Sequence, residues 1–564
     1  MVGNPPFGTT SLLKSVRDYC DENGFAKEMV LPFLHKATKF APNGKIALIF
    51  NTKVLTNTGS TYQNFREWLF NDCYVEKVYN FSILRNAKKN FGGQLFGDAT
   101  GPISIVYYQK EPPESPSDKI AYYAPKTYIK STIIEGLSID FTDLKFLPRE
   151  ECQKPDTKIW KIAMWGNEGD IRLINKLFET KVNISLFLNK MNIDHGVGLQ
   201  PLNESTEKPL IDNDIPTFQF IRPEKIERFS TNTSSFSNIN SLLKDKKTIK
   251  IYLKYYLVNT IDELPPINVF RRLGAKSVYK GPMLLLKEGF KNNRLCFSYI
   301  DQSIVFNSSV LGFRSENKDE LRFLSCILNS ELATFFLLLI SNSWGIERER
   351  IKPNEIYKFP VILNESIVKS LVILHRGIET IINESVFKVS YDKIEKEIND
   401  LIYDLYHIDL EEKQLIKDFI NYSADLFHKQ EKSKALYPIL HEQSMEYGKI
   451  ISAELNSFLD GQDLFANPTI YNINRFTPLM MIKLSFNSKE KEIYQSQENI
   501  DEELKKLDKH LWEEKATNIY FRKKLNYKTG DDIYIIRPNQ RRFWSKSMAL
   551  EEASELILEI LNGN

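Results

Sequence analysis

Pro5 and Pro6, in the stretch GNPPFG that opens the chain, restrict the backbone more than any periodic pattern does. Each proline locks φ at about −65° and donates no backbone hydrogen bond. Each also keeps the residue before it out of the helical region. Asn4 is therefore held extended, and Phe7 leaves the second proline from a set position. Such stiffness suits a site better than a floppy tail, although a tight turn between two elements meets the same constraint.

The residues after Gly8 narrow the choice. MVLPFLHKATKFAPNGK spaces its apolar residues as a helix does and stops at Asn43-Gly44, and KIALIFN then reads as a buried strand. NFREWLFNDC is helix-like, VEKVYNFS strand-like, and after a glycine-rich loop PISIVYYQK is another strand. Residues 1–112 are thus expected to form an α/β unit. EPPESPSDK, with three prolines, predicts a linker over 113–160. Short strands, Asn/Ser-rich loops and helices over 161–365 predict a mixed α+β recognition domain, and 366–435 a helical region. Within that region YDKIEKEINDLIYDLYHIDLEEKQLIKDFI predicts a helical hairpin, with Asp409 and Glu412 as a capping box. Residues 436–564 read as a small α/β module.

Length and charge exclude some functions. At about 150 residues per domain, 564 residues make three or four units. A formal charge of +2 gives no whole-molecule attraction to polyanions, so a nucleic-acid surface must be local. The run VFRRLGAKSVYKGPMLLLKEGFKNNR at 269–294 sets seven Lys or Arg against one Glu and interleaves Phe270, Tyr279 and Phe290. Arg271, Arg272, Lys276 and Lys280 are its candidate phosphate contacts, with a solvated face as the plain alternative. Arg541 and Arg542, next to Trp544, are a second candidate pair, for which a structural role of Trp544 is equally open. The five cysteines are scattered without CxxC or His spacing, so no metal site is expected and a reducing cytoplasm is the expected location. LATFFLLLI at 332–340 falls far short of the ~20 apolar residues that cross a bilayer, and it predicts a buried helix rather than a membrane contact.

The order of motif, helix, NGKIALIFNTKVL, helix, strand, glycine-rich loop and GPISIVYYQK resembles the catalytic half of the amino-methyltransferases of DNA, specifically the adenine-modifying gamma class. LRFLSCILNSELATFFLLL followed by IKPNEIYKFPV resembles the target-recognition domains of large restriction-modification enzymes. The resemblance implies the C-terminal half of a doubly wound methyltransferase sheet, in which the tetrapeptide follows the fourth strand and the last two strands form a hairpin. Asn4 and the Pro5 carbonyl would accept the two hydrogens of adenine's amino group. Pro6 would keep the pair rigid, and Phe7 would stack on the flipped base. Phe96, with Phe91 as runner-up, would cover its other face unless it merely anchors a loop. Asn51 would line the pocket or simply end its strand.

S-adenosylmethionine would be the cofactor and double-stranded DNA the substrate. The family's glycine-rich cofactor turn lies upstream of the motif, where this chain has three residues, and neither FLDGQDLF nor KTGDDIY replaces it. The cofactor site is therefore expected to be mostly absent from the chain. The chain is then a C-terminal fragment or split subunit, inactive without an upstream half that a second polypeptide would carry, with a nuclease or other defence subunit as a further partner. The rival is a catalytically inactive DNA-binding or specificity subunit that keeps the base pocket.

Overall fold

The alternation of Ser104, Val106 and Tyr108 (buried) with Ile103, Ile105 and Tyr107 (half-buried) shows how the first sheet is closed on one face. It belongs to a computed structural model that describes every residue except 9–11, 83–100, 131–134, 288, 343, 347–350, 385–387, 473–478, 500–518, 523–524, 530–531 and 563–564. The elements of the first sheet are β1 (Val2–Gly3), α1 (Lys14–Glu22), α2 (Val30–Phe40), β2 (Ile46–Asn51), α3 (Ser60–Asn71), β3 (Tyr74–Asn80), β4 (Ile103–Gln109), β5 (Lys119–Tyr123) and β6 (Leu144–Pro148). The strand order is β1-β2-β4-β3-β5-β6. β1 runs parallel to β2 and β5 parallel to β3, whereas β4 lies antiparallel between β2 and β3.

The closed face is built by the helices. α2 buries Val30, Leu31, Leu34 and Ala37, and α3 buries Phe65, Leu69 and Phe70. The Tyr108 hydroxyl donates to the Leu34 carbonyl at 2.6 Å, joining β4 to α2. Between the helices, Phe25 meets Phe65 edge-on at 5.0 Å and His35 meets Trp68 edge-on at 4.5 Å. Arg66 is buried and donates to the carbonyls of Val54, Asn57 and Pro155, each at 2.8 Å. Burial lowers its pKa to about 10, so the guanidinium stays charged at neutral pH and clamps the short helical turn at 53–57 to the segment around Pro155.

The stretch 113–160 is not a linker. It supplies β5, β6, α4 (Arg149–Gln153) and α5 (Lys158–Trp165), and a strand pair at 127–130 and 135–140. The prolines of EPPESPSDK end at Pro116, and KIAYY already alternates with Ile120 and Tyr122 buried, a period-two signal that the proline cluster outweighs in the sequence.

The chain divides into two units, residues 1–171 with 342–348 and 417–564, and residues 172–341 with 349–416. The first unit also holds a five-stranded sheet in the order 494–499, 465–472, 479–487, 532–538 and 525–529. Helices His441–Phe458 and Lys546–Leu561 share its core through Tyr447, Ile451, Ile482, Ile535, Trp544 and Ala553. The 436–564 region combines this sheet with these helices and belongs to the first unit rather than forming a separate module. Strand Ile519–Arg522 pairs parallel with Glu135–Asp140, and Phe141 lies 5.0 Å from Phe543. The expected helical region 366–435 is divided between the units after Ile416.

The second unit has a five-stranded sheet in the order 229–230, 297–300, 283–287, 310–314 and 194–197, and a three-stranded one built on 219–221. Its apolar helix Glu331–Ile340 is buried from Leu332 to Leu339. Among the described residues no single helix is long and apolar enough to cross a membrane. Ser330 caps this helix through Ala333 N–H at 3.0 Å, and the buried Asn329 amide bonds both backbone groups of Phe297, at 3.0 and 2.8 Å. The predicted capping box is formed, with Asp409 Oδ1 accepting from Glu412 N–H at 2.8 Å and Glu412 Oε2 from Asp409 N–H at 3.1 Å.

Candidate functional site

The parallel register of β1 and β2, Val2 opposite Ala47 and Gly3 opposite Leu48, puts Asn4 just past the carboxyl end of β1 and alongside the second half of β2, which runs on to Asn51. Backbone bonds fix the segment on each side. The Met1 ammonium donates to the Lys45 carbonyl at 2.7 Å, Ala47 N–H to the Met1 carbonyl at 2.8 Å, and Met29 N–H to the Gly8 carbonyl at 3.1 Å. Gly8 has φ +134°, a conformation that side chains rarely adopt, so the stretch can turn toward α2 only with glycine there.

Between these anchors Pro5 is buried while Asn4, Pro6 and Phe7 are exposed. Phe7 is 41% exposed, enough to offer a ring face. Among the described residues the Asn4 amide bonds to none, so its carbonyl oxygen and amino group are both available. Asn51 ends β2, three residues beyond the Gly3–Leu48 pair. Its Oδ1 accepts from Lys53 N–H at 3.0 Å, an Asx turn, and its Nδ2 faces the open side of Gly101. Thr52 N–H donates to the Pro102 carbonyl at 3.0 Å, and the Thr52 and Ser104 hydroxyls bond at 2.8 Å.

Lys53 forms an ion pair with the buried Glu28. The two residues come from α2's approach and β2's exit, and no spacing in the sequence connects them. Phe91 and Phe96, the candidates for the second base-stacking ring, lie outside the described residues.

The basic candidates are placed differently. Arg272 and Lys280 are exposed and Arg271 half-buried. Lys276 is 2.5 Å from Asp212. Further along the same run Lys291 pairs with Glu227, and Arg294 is buried, donating to the Asn329 carbonyl at 2.7 Å. Desolvation, then the neighbouring Arg228, lowers the Arg294 pKa to about 10. Near the C-terminus Arg541 bonds the Pro438 carbonyl at 3.1 Å, and Arg542 donates to Asp140 at 2.6 Å with its side chain 8% exposed. Trp544 is fully buried and donates to the Pro538 carbonyl at 3.0 Å, the structural role.

The site is thus the carboxyl edge of parallel strands in an open α/β sheet, presenting one unspent amide and one exposed ring. Residues 1–85 match the Eco57I restriction-modification methylase family. No curated protein matches the chain significantly.

Among solved structures, the chain is similar to the type IIL restriction-modification enzyme MmeI in complex with DNA, at 13% identity over 76% of this chain and 57% of that one, with a TM-score of 0.40. It is also similar to the type IIG restriction endonuclease BpuSI, at 11% identity over 72% and 54%, TM-score 0.25. The ATP-dependent type ISP enzyme LlaBIII, bound to DNA, gives 11% over 68% and 30%, TM-score 0.29. The chain spans between 30 and 57% of the length of these three proteins.

Proposed function

We propose that this chain is the base-handling part of an adenine-specific DNA methyltransferase of a restriction-modification system, acting on double-stranded DNA in the cytoplasm. The observation that carries the reading is the exposed, unbonded Asn4 amide, followed closely by the exposed Phe7 ring, just past the carboxyl end of β1 and alongside the second half of the parallel β2. Open α/β sheets bind ligands outside the carboxyl ends of their strands. The match of residues 1–85 to restriction-modification methylases supports it.

Adenine's amino nitrogen is a poor nucleophile because its lone pair is delocalised into the ring. Asn4 Oδ1 accepts one amino hydrogen and the Pro5 carbonyl the other, which draws the nitrogen toward tetrahedral geometry and localises the lone pair on it. Two acceptors at fixed positions are what an asparagine followed by a rigid proline supplies. Phe7 stacks on the base after it leaves the duplex. Stacking of roughly 1–3 kcal/mol per base offsets part of an extrusion cost of a few kcal/mol.

S-adenosylmethionine supplies the methyl group in this reading, but the residues present do not fit it. The buried carboxylate at this edge, Glu28, is engaged by Lys53, and no glycine-rich turn lies beside it among the described residues. The outer edge of β1, with Val2 84% exposed, is open for further strands. A segment or second polypeptide that adds there would hold the cofactor, and this chain by itself transfers no methyl groups. The poor fit also favours the second reading, a DNA-binding or specificity subunit that captures the base without transfer.

One experiment separates them. With Asn4→Ala introduced at the natural locus, N6-methyladenine mapped across the genome should vanish from one sequence motif. A map unchanged by Asn4→Ala, with DNA binding retained, favours the binding subunit.

A further inference from the structure

Helix Lys246–Tyr256 does not stand out in the sequence as a basic element, because its charges are split by aromatic and branched residues, KKTIKIYLKYY. It belongs to the second unit and packs Ile249, Tyr252, Leu253 and Tyr256 onto that unit's core. The Tyr252 hydroxyl ties it down, donating to the Val269 carbonyl at 2.8 Å and accepting from Leu202 N–H at 3.1 Å. At about 100° per residue, Lys246, Lys247, Lys250 and Lys254 fall within an arc of about 100° away from that apolar face. All four are exposed, and among the described residues none is in an ion pair.

Two features single this face out. Lys246, Lys250 and Lys254 rise about 6 Å per step, so three cations stand in one row along the exposed side of the helix. The first turn holds Lys246 and Lys247 and no acidic residue, so both charges oppose the helix dipole, with only the Asp245 cap in compensation. A polyanion laid along the face removes that penalty. The longer basic run at 269–294 offers less: Lys276, Lys291 and Arg294 are spent on Asp212, Glu227 and the Asn329 carbonyl, Arg271 and Lys287 are half-buried, and Arg272 and Lys280 are left exposed without an ion pair among the described residues.

We infer that the lysine face of helix Lys246–Tyr256 tracks the phosphates of one strand of duplex DNA and carries more of the electrostatic affinity than residues 269–294. The inference rests on the reading of the chain as DNA-binding, and it names the surface. The test is the slope of log affinity against log salt for the full chain on duplex DNA. Each lost phosphate contact removes about 0.9 from the slope, so Lys246→Gln with Lys250→Gln and Lys254→Gln should flatten it by about 2.7. The corresponding Lys→Arg triple variant should keep it, and Arg272→Gln with Lys280→Gln should change it less.

An unchanged slope in the Gln triple variant, with an unaltered circular dichroism spectrum, overturns the inference and leaves the proposed function standing. Absence of DNA binding by the unaltered chain overturns both. Should the Gln substitutions abolish binding to phosphatidylserine vesicles but not to DNA, the face would belong to a lipid surface and the inference would be wrong.

Discussion

GNPPFG at residues 3–8 and RRFW at 541–544 look alike as sequences, since each joins a rigid or aromatic residue to a polar one. The structure treats them in opposite ways. At the first, Asn4 is unbonded among the described residues and Phe7 is exposed. At the second, Arg542 is held by Asp140 and Trp544 is buried against Tyr447, 5.1 Å between ring centroids. Just ahead of it Arg537, fully buried, pairs with Glu552 and donates to the Phe543 carbonyl at 3.0 Å. The first region leaves its chemistry facing outward and the second spends its own on cohesion. What distinguishes a site from a clamp here is whether the polar groups are already satisfied.

The largest expected contrast is in stability. Arg537→Ala leaves Glu552 as an uncompensated buried charge and should cost about 3–5 kcal/mol in urea unfolding. Trp544→Ala should cost a similar ~3–5 kcal/mol through its cavity. Asn4→Ala and Phe7→Ala should stay within about 0.5 kcal/mol, as exposed positions do. Equal destabilisation at both regions would erase the distinction.

A smaller effect is expected at Arg542, whose removal strips Asp140 of its charged partner. Thr127 still donates to the same carboxylate at 3.2 Å, so Arg542→Ala should cost roughly 1–3 kcal/mol and leave the affinity for DNA unaltered. A loss of DNA affinity larger than that of Phe7→Ala would move Arg542 from clamp to contact.

The smallest effect is pH-dependent and belongs to the support of the opening motif. His35, on α2, bonds the Tyr19 hydroxyl at 2.7 Å and packs on Trp68. Burial, then Lys39, holds its pKa below the usual 6.5. Because the folded pKa is depressed, the unfolded chain binds the proton first. The stability this contributes is present above about pH 6.5 and is lost as the pH falls through the lower, folded value. The melting temperature should decline over that interval, and His35→Gln should remove that part of the decline.

Much of the first unit was legible because period and burial agree. IALIFN, YVEKVYN and ISIVYYQ are strands where alternation and β-branching place them, and Asp409 with Glu412 close the capping box that their spacing announces. What was hidden depends on partners remote in the chain. The insertion of β4 between β2 and β3 is a property of sheet order, which no local pattern encodes. Arg542 looked like a phosphate contact because its partner, Asp140, is 402 residues away. The strands after Glu111 were masked by three prolines confined to one turn, and the lysine face at 246–254 by the apolar residues that hold it to the core.

The central claim is that the opening stretch captures a flipped base. Its most direct test is the fluorescence of 2-aminopurine at the target position of a duplex carrying the motif found by methylation mapping, titrated with the full chain. The unaltered chain and Arg542→Ala should change the signal on binding alike. Phe7→Ala should lose most of that change while still binding the duplex, and an unpaired target should recover part of it, since extrusion then costs less. An identical response from Phe7→Ala and the unaltered chain would contradict the account and leave GNPPFG as a rigid turn.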